Sequence, residues 1–315
     1  MNIKEQIKEQ RPNIKDSTVD SYFQYLKKIY QTLHETNENP KNVNYLADFD
    51  GIEQIMEQYK PNTKKNYYSA AVVALKAFGK DPKLIAKYEA IRDEKQLEYD
   101  TMAKANSKTE KQKQNWVSLN EYDGLLDKYR EQIKLERLFS KSELSKKENE
   151  ISKEYIILLT YRHLPMRNDF ANMRVLTPRA FKKLPAGEQD KNNYLVGTSQ
   201  SGYKFHINDY KTKKTFGNKV IDIPSEIQKD FKKYLSKNTS GYFLVDQSGR
   251  PITPNGITKL LNKIFKREFG KNVSSSLIRH IVLSEKYGKT LQDMKDDSEI
   301  MGHSVLQGHN YTKTD

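Results

Sequence analysis

Five side chains in the second half of the chain suit chemistry at a phosphate group by their types and their order. They are two arginines, a lysine, a histidine and a tyrosine: Arg167, Lys211, Arg279, His303 and Tyr311. A guanidinium can present two parallel N–H donors to a phosphate, and an ammonium can pass a proton to a leaving oxygen. A phenol among cations ionises more readily and can then attack phosphorus. The set predicts exchange of one phosphate ester for another, without a cofactor, a metal ion or ATP.

The lysine of this set has three candidates in the stretch "NDYKTKKTFGNK", which are Lys211, Lys213 and Lys214. Taken singly, each of the five residues also has an ordinary structural explanation. A cation can stabilise a helix end, an arginine can belong to an ion pair, and a late tyrosine can be a surface residue. The prediction depends on their conjunction in one order within one basic chain.

This ordered set resembles the tyrosine recombinase, or phage integrase, superfamily. The family's first Arg follows a "G-L-R" turn, which "P-M-R" matches at Arg167, and its second ends an "H-x-x-R" box, which "S-L-I-R" matches at Arg279. The family's "L-G-H-S" box stands here as "M-G-H-S" at His303, 24 residues after Arg279, and Tyr311 follows eight residues later. The resemblance covers most of the chain, but the specific motifs lie in its second half.

The resemblance implies a site-specific recombinase or integrase that cleaves and rejoins DNA through a covalent 3′-phosphotyrosine at Tyr311. It implies that Arg167, Arg279 and His303 act on the scissile phosphate, and that Lys211, just before the hairpin turn, is the proton donor. The expected partner is double-stranded DNA, held as paired sites by a homotetramer. DNA integration by a mobile element or a virus is the expected setting.

One position departs from the family pattern, because the arginine box begins with Ser276 where the family usually has His. That histidine often assists proton transfer, so its replacement predicts slower cleavage. A hydroxyl at a helix start can still donate to a phosphate oxygen, and we therefore include Ser276 in the predicted site. The alternatives are a type IB topoisomerase, which shares the chemistry, a DNA-binding relative with weakened catalysis, and a basic helical scaffold.

Composition agrees with a polyanionic partner. Lys and Arg number 55 against 41 Asp and Glu, which leaves a formal charge of +14 in 315 residues. Nucleic acid is the commonest partner of such a surplus, and an anionic membrane surface is the competing one. No apolar run has the length of a spanning helix, and no secretory signal is evident, so an intracellular, cytoplasmic or nuclear, protein is expected. The chain has no cysteine and six histidines, which argues against disulfides and structural zinc.

Further lysines and one arginine are predicted to contact the DNA backbone: Lys64, Lys65, Lys213, Lys214, Lys259, Lys263, Lys266 and Arg267. Such contacts supply affinity and register rather than sequence choice.

Periodicity predicts a mostly α chain with a small antiparallel β-sheet, an α+β fold. Helical spacing dominates residues 1–104, a polar linker spans 105–115, and residues 116–315 form a second domain. The segments "NNYLVGT", "YKFHIND" and "NKVIDIP" predict the sheet. The resemblance identifies the two parts with the family's core-binding and catalytic domains.

Overall fold

A computed structural model of the protein describes residues 2–104, 107–305 and 307. The chain divides into two compact units between Ser107 and Lys108. This boundary lies inside the predicted linker, whose second half is helical because Thr109 and Gln112 form a capping box at its start.

The first unit is helical. Its described helices are α1 (Ile3–Gln10), α2 (Asp16–Leu33), α3 (Phe49–Met56), α4 (Pro61–Ala77) and α5 (Pro82–Lys104). Helix α4 lies at its centre, where residues 70–75 are all buried, and it packs against α1, α2 and α5. Proline suits the first position of α4, since the N–H that it lacks would have no partner within the helix.

The second unit combines helices with one sheet. Its described helices are α6 (Glu110–Asn115), α7 (Leu119–Leu135), α8 (Lys146–His163), α9 (Pro178–Lys182), α10 (Ala186–Gln189), α11 (Lys213–Phe216), α12 (Ser225–Lys237), α13 (Pro254–Phe269) and α14 (Ser275–Ile300). Helix α8 is the central one, with residues 151–161 buried. A capping box of Ser145 and Glu148 fixes its start.

The sheet has the order β1-β2-β3-β4. Its strands are β1 (Arg174–Leu176), β2 (Tyr194–Thr198), β3 (Gly202–Ile207) and β4 (Lys219–Asp222). Strands β2, β3 and β4 pair antiparallel and correspond to the three predicted segments. Strand β1 was not predicted, and it pairs parallel to β2, so the sheet is mixed rather than purely antiparallel. Helices α9 and α10 supply the crossover that a parallel pair requires.

Aromatic rings fill the core between the sheet and helix α12. Phe231 and Phe243 stack at a centroid distance of 5.4 Å, and Phe205 and Phe170 pack beside them. The mostly α fold with a small sheet is thus confirmed. Among the described residues, no helix has the length and apolar character that crossing a membrane would need.

Candidate functional site

Arg167 lies directly after α8, where the chain leaves the buried helix and turns through residues 168–170. Its guanidinium Nη2 donates a hydrogen bond to Thr212 Oγ1 at 3.0 Å, and its Nε lies 3.6 Å from Asp169 Oδ2. The side chain is 37% exposed, so the guanidinium is held on one side and open to solvent on the other. An incoming anion could therefore reach it.

The turn that carries Arg167 is fixed by the amide of Asn168. This amide donates to Pro254 O at 2.6 Å and to Thr258 Oγ1 at 2.9 Å, and it accepts a hydrogen bond from the Tyr161 hydroxyl. The three contacts tie the turn to α8 on one side and to the start of α13 on the other. The backbone of Arg167 is consequently well positioned before any ligand binds.

Asp169 links the two predicted arginines. Burial raises the pKa of its carboxyl group, and the positive charges of Arg167 and Arg279 oppose that shift. Arg167 pairs with this partly buried carboxyl group, and Arg279 acts on it through its charge alone, although 112 positions separate the two arginines in the sequence. The structure brings Arg167 and Arg279 together in one region.

Arg279 lies in the first turns of α14, and its Nε is 3.4 Å from Ser275 O. Ser274 caps the helix, because its hydroxyl accepts a hydrogen bond from the N–H of Leu277 at 3.3 Å. Burial raises the pKa of Tyr161 in α8, while a hydrogen bond from Ser275 and the charge of Arg279 oppose the increase. The start of α14 thus faces the end of α8.

Ser276 is the second residue of α14 and is exposed. A residue at this position has a backbone N–H without an acceptor inside the helix, and its hydroxyl is a second donor. The predicted substitute for the family histidine therefore lies at a helix end that favours anions, next to the Arg279 turn.

The predicted lysine loop connects the antiparallel strands β3 and β4, and it contains the short helix α11. Lys211 is exposed and immediately precedes Thr212, the residue that accepts the hydrogen bond from Arg167. The ammonium of Lys213 instead donates to Asp190 O at 2.7 Å, which anchors the loop. Lys214 is exposed on the same loop. Lys211 and Lys213 both flank Thr212 in the sequence, but the ammonium of Lys213 is engaged by Asp190, so Lys211 remains the leading candidate.

His303 lies at the opposite end of α14 from Arg279. Gly302, with φ of 69°, closes the helix in a left-handed turn, and the N–H of His303 donates to Ser298 O at 3.0 Å. Because α14 is one continuous helix, Arg279 and Ile300 are about 32 Å apart along its axis. The expected meeting of His303 with the arginines is therefore not seen in this structure. Tyr311 lies outside the described residues.

Of the cations predicted to bind DNA, Lys259, Lys263 and Lys266 form one exposed stripe along α13. The stripe begins beside Thr258, the residue that holds the Arg167 turn. In the first unit, Lys64 and Lys65 lie half-buried on α4, and the ammonium of Lys65 is 5.5 Å from the ring centroid of Tyr99.

Arg267, which the sequence predicts as a DNA contact, has partners inside the second unit. Its guanidinium donates to Glu154 Oε2 at 2.8 Å and to the Tyr129 hydroxyl at 2.6 Å, and it also pairs with Glu268 at 2.8 Å. Glu154 is a buried residue of α8, so Arg267 compensates a carboxylate inside the unit. The prediction of a DNA contact overlooked this partner because Glu154 lies 113 positions away in the sequence.

We expect Arg267→Ala to lower the free energy of unfolding by about 2 kcal/mol. Breaking a buried ion pair costs about 3–5 kcal/mol, and the expected loss is smaller because the Arg267 side chain is partly exposed and Tyr129 still donates to Glu154. Urea denaturation checks this value. The control is Arg250→Ala, whose exposed pair with Asp246 contributes about 0–1 kcal/mol. Unchanged stability with weaker DNA binding would contradict the assignment.

Sequence reasoning missed four residues that shape the site: Tyr161, Asp169, Asn193 and Thr212. An acidic residue two positions after a candidate arginine was a signal for Asp169. The other three give no such signal, because a Tyr, an Asn or a Thr becomes informative only when the fold shows its partner. Within the described ranges, no group of three His, Asp or Glu side chains is placed to hold a metal ion.

Comparison with known proteins gives similar folds and no family model. No protein-family model and no curated protein matches the chain. Among solved structures, the chain is similar to XerA recombinase, with 12% identity and a TM-score of 0.35 over 99% of this chain and 94% of that one. It is similar to XerH site-specific recombinase bound to a palindromic difH substrate, with 15% identity and a TM-score of 0.46 over 94% and 76% of the two chains.

A third similar structure is the Tn1549 transposon integrase in complex with circular intermediate DNA, with 13% identity and a TM-score of 0.37. That match covers 100% of this chain and 96% of the integrase chain.

Proposed function

We propose that this protein is a site-specific DNA recombinase or integrase that works through a covalent 3′-phosphotyrosine intermediate. The observation that supports the proposal is that Arg167 contacts Asp169 and Thr212 beside the loop that carries Lys211, while Tyr161, which donates to Asn168, lies near Arg279 at the start of α14. Two guanidiniums in one region can bind one phosphate, because each presents paired N–H donors to its oxygens. The ordered motifs add a nucleophile, Tyr311, to this pair.

The proposed reaction exchanges one phosphate ester for another. The phenol oxygen of Tyr311 bonds to phosphorus and its proton goes to solvent, while the bond from phosphorus to the 5′ oxygen breaks. The ammonium of Lys211 gives a proton to that leaving oxygen. Arg167 and Arg279 stabilise the charge that develops on the non-bridging oxygens. Rejoining reverses these steps, so the reaction needs neither ATP nor a metal ion.

The remaining predicted residues have supporting roles in the proposal. Ser276 donates to the same phosphate from the start of α14. His303 joins the site in a conformation that brings the far end of α14 towards Arg279. Double-stranded DNA is the substrate, and a homotetramer holds two DNA sites for strand exchange.

The test is formation of a covalent protein–DNA adduct. Duplexes selected by binding from a random library are nicked near the bound site, so that cleavage releases a short strand and traps the intermediate. We expect an adduct that survives denaturation, with the DNA attached to the peptide that contains Tyr311. If selected duplexes bind and none gives an adduct, the enzymatic proposal is wrong.

A catalytically weakened DNA-binding relative is the second candidate, and two observations favour it. Ser276 replaces the family histidine, and His303 follows the end of α14, which lies about 32 Å along the helix axis from Arg279. This candidate predicts sequence-selective binding in gel shifts and no adduct on any substrate. The trapping experiment therefore separates the two functions.

The basic stripe of α13 makes a prediction about salt. If Lys259 and Lys263 each contact one phosphate, replacing both by alanine lowers the slope of log K against log salt by about 1.8. Titrations of a bound duplex at several salt concentrations measure this slope. Arg267→Ala is the matched control on the same helix, since its charge is engaged by Glu154, and we expect it to leave the slope unchanged. An unaltered slope in the double variant would remove the stripe from the DNA interface.

A further inference from the structure

Asn193, directly before β2, connects the two parts of the candidate site. Its side-chain Nδ2 donates to Asp169 O and to Asp209 O, each at 2.8 Å. Its Oδ1 accepts hydrogen bonds from the backbone N–H groups of Asn208 and Asp209, each at 2.7 Å. All four hydrogen-bonding positions of one amide are therefore used, and they join the Arg167 turn to the beginning of the lysine loop.

Lys211 is placed by its neighbours in the chain. Two residues before it, Asp209 is held by Asn193 through both its N–H and its carbonyl. One residue after it, Thr212 accepts the hydrogen bond from Arg167. Lys211 itself is exposed, and among the described residues no hydrogen bond or ion pair to its ammonium is seen. Its position relative to Arg167 therefore depends on the backbone hydrogen bonds at Asp209 and on the side-chain hydrogen bond at Thr212.

The far side of the loop has separate anchors. Lys213 Nζ donates to Asp190 O at 2.7 Å, Asn218 donates to the Asp190 carboxylate at 2.9 Å, and the Tyr210 hydroxyl donates to Gly217 O at 2.7 Å. These contacts shape the loop but do not reach the Arg167 turn. Asn193 is the described side chain that joins the backbones of the two parts.

We propose that Asn193 is a positioning residue for proton donation, because it sets the distance between Lys211 and the phosphate held by Arg167 and Arg279. This inference rests on the proposed function. The leaving 5′ oxygen must receive a proton as its bond to phosphorus breaks, and a donor displaced by about 1 Å can lose on the order of 10²-fold in rate. Removal of the Asn193 amide removes both hydrogen bonds to the Asp209 backbone and the one to the Asn208 N–H, and Lys211 then moves away from the leaving oxygen.

The test compares two leaving groups. In one DNA substrate the bridging 5′ oxygen is normal, and in the other it is replaced by sulfur. A thiolate leaves without a proton near neutral pH, since an ordinary thiol has a pKa of about 8.5. We expect Asn193→Ala to slow adduct formation about 10–100-fold with the oxygen substrate. With the sulfur substrate we expect adduct formation by Asn193→Ala, and also by Lys211→Ala, to approach the wild-type rate.

Two further variants make the result specific. Asn193→Asp keeps the oxygen that accepts from Asn208 and Asp209 and loses the N–H groups that donate to Asp169 and Asp209. This variant tests the inference if Asn193→Ala fails to fold. Asn192→Ala is the matched control, because Asn192 donates to Glu188 O and not to the lysine loop. We expect the control to match the wild type on both substrates.

The outcomes separate the inference from the proposed function. An equal loss on both substrates, or no loss on either, shows that Asn193 does not act through proton donation and overturns the inference. If the wild type forms no adduct with either substrate, the proposed function fails as well.

Discussion

Tyr311→Phe is expected to abolish the covalent adduct while leaving DNA affinity within about twofold of the wild type. Phenylalanine has the same ring but lacks the oxygen that would bond to phosphorus, so no phosphotyrosine can form. Affinity is conserved because it depends on lysines and arginines that neutralise phosphates, and the substitution changes no charge at neutral pH. Denaturing gels on the nicked substrate measure the adduct, and gel shifts measure binding.

The chain offers a matched control in Tyr287, an exposed tyrosine of α14. Tyr287→Phe is expected to form adduct at the wild-type rate. This control matters because the chain has 20 tyrosines, any of which could be modified by chance in a reactive complex. An adduct that persists in Tyr311→Phe, or that is lost in Tyr287→Phe, would assign the nucleophile to a different residue.

The second large effect is expected for the two arginines. Arg279→Ala and Arg167→Ala should each lower the rate of adduct formation by about 10²–10³, the usual loss when one donor to a developing charge is removed. The losses should combine less than additively in the double variant, since the proposal places both guanidiniums on the same phosphate. Single-turnover rates at saturating DNA separate this effect from weaker binding.

Two further variants provide the comparisons: a lysine substitution at Arg279, and removal of an arginine outside the candidate site. Arg279→Lys keeps the charge but not the paired donors, so most of the rate loss is expected to remain. Arg179→Ala removes an exposed arginine of α9 and should leave the rate unchanged. If Arg167→Ala and Arg279→Ala reduced the melting temperature and the DNA affinity but not the saturated rate, both residues would have structural roles.

Local sequence predicted much of the secondary structure because the signals are short in range. Helical spacing of apolar residues, which predicted helices in residues 1–104, is a pattern within a few turns. The alternating, β-branched segments of β2, β3 and β4 were found for the same reason. Strand β1 was missed because three residues show no periodicity.

Sequence by itself determined which residues could do chemistry and in what order, because residue type and spacing are local properties of the chain. Only the tertiary structure decided which of them meet. It placed Arg167 against Asp169 and the start of α14 near the end of α8. It also engaged Arg267 with Glu154 and made α14 a single helix that separates His303 from Arg279. These outcomes depend on contacts between residues more than 100 positions apart and on the length of one helix, and neither is encoded in a motif.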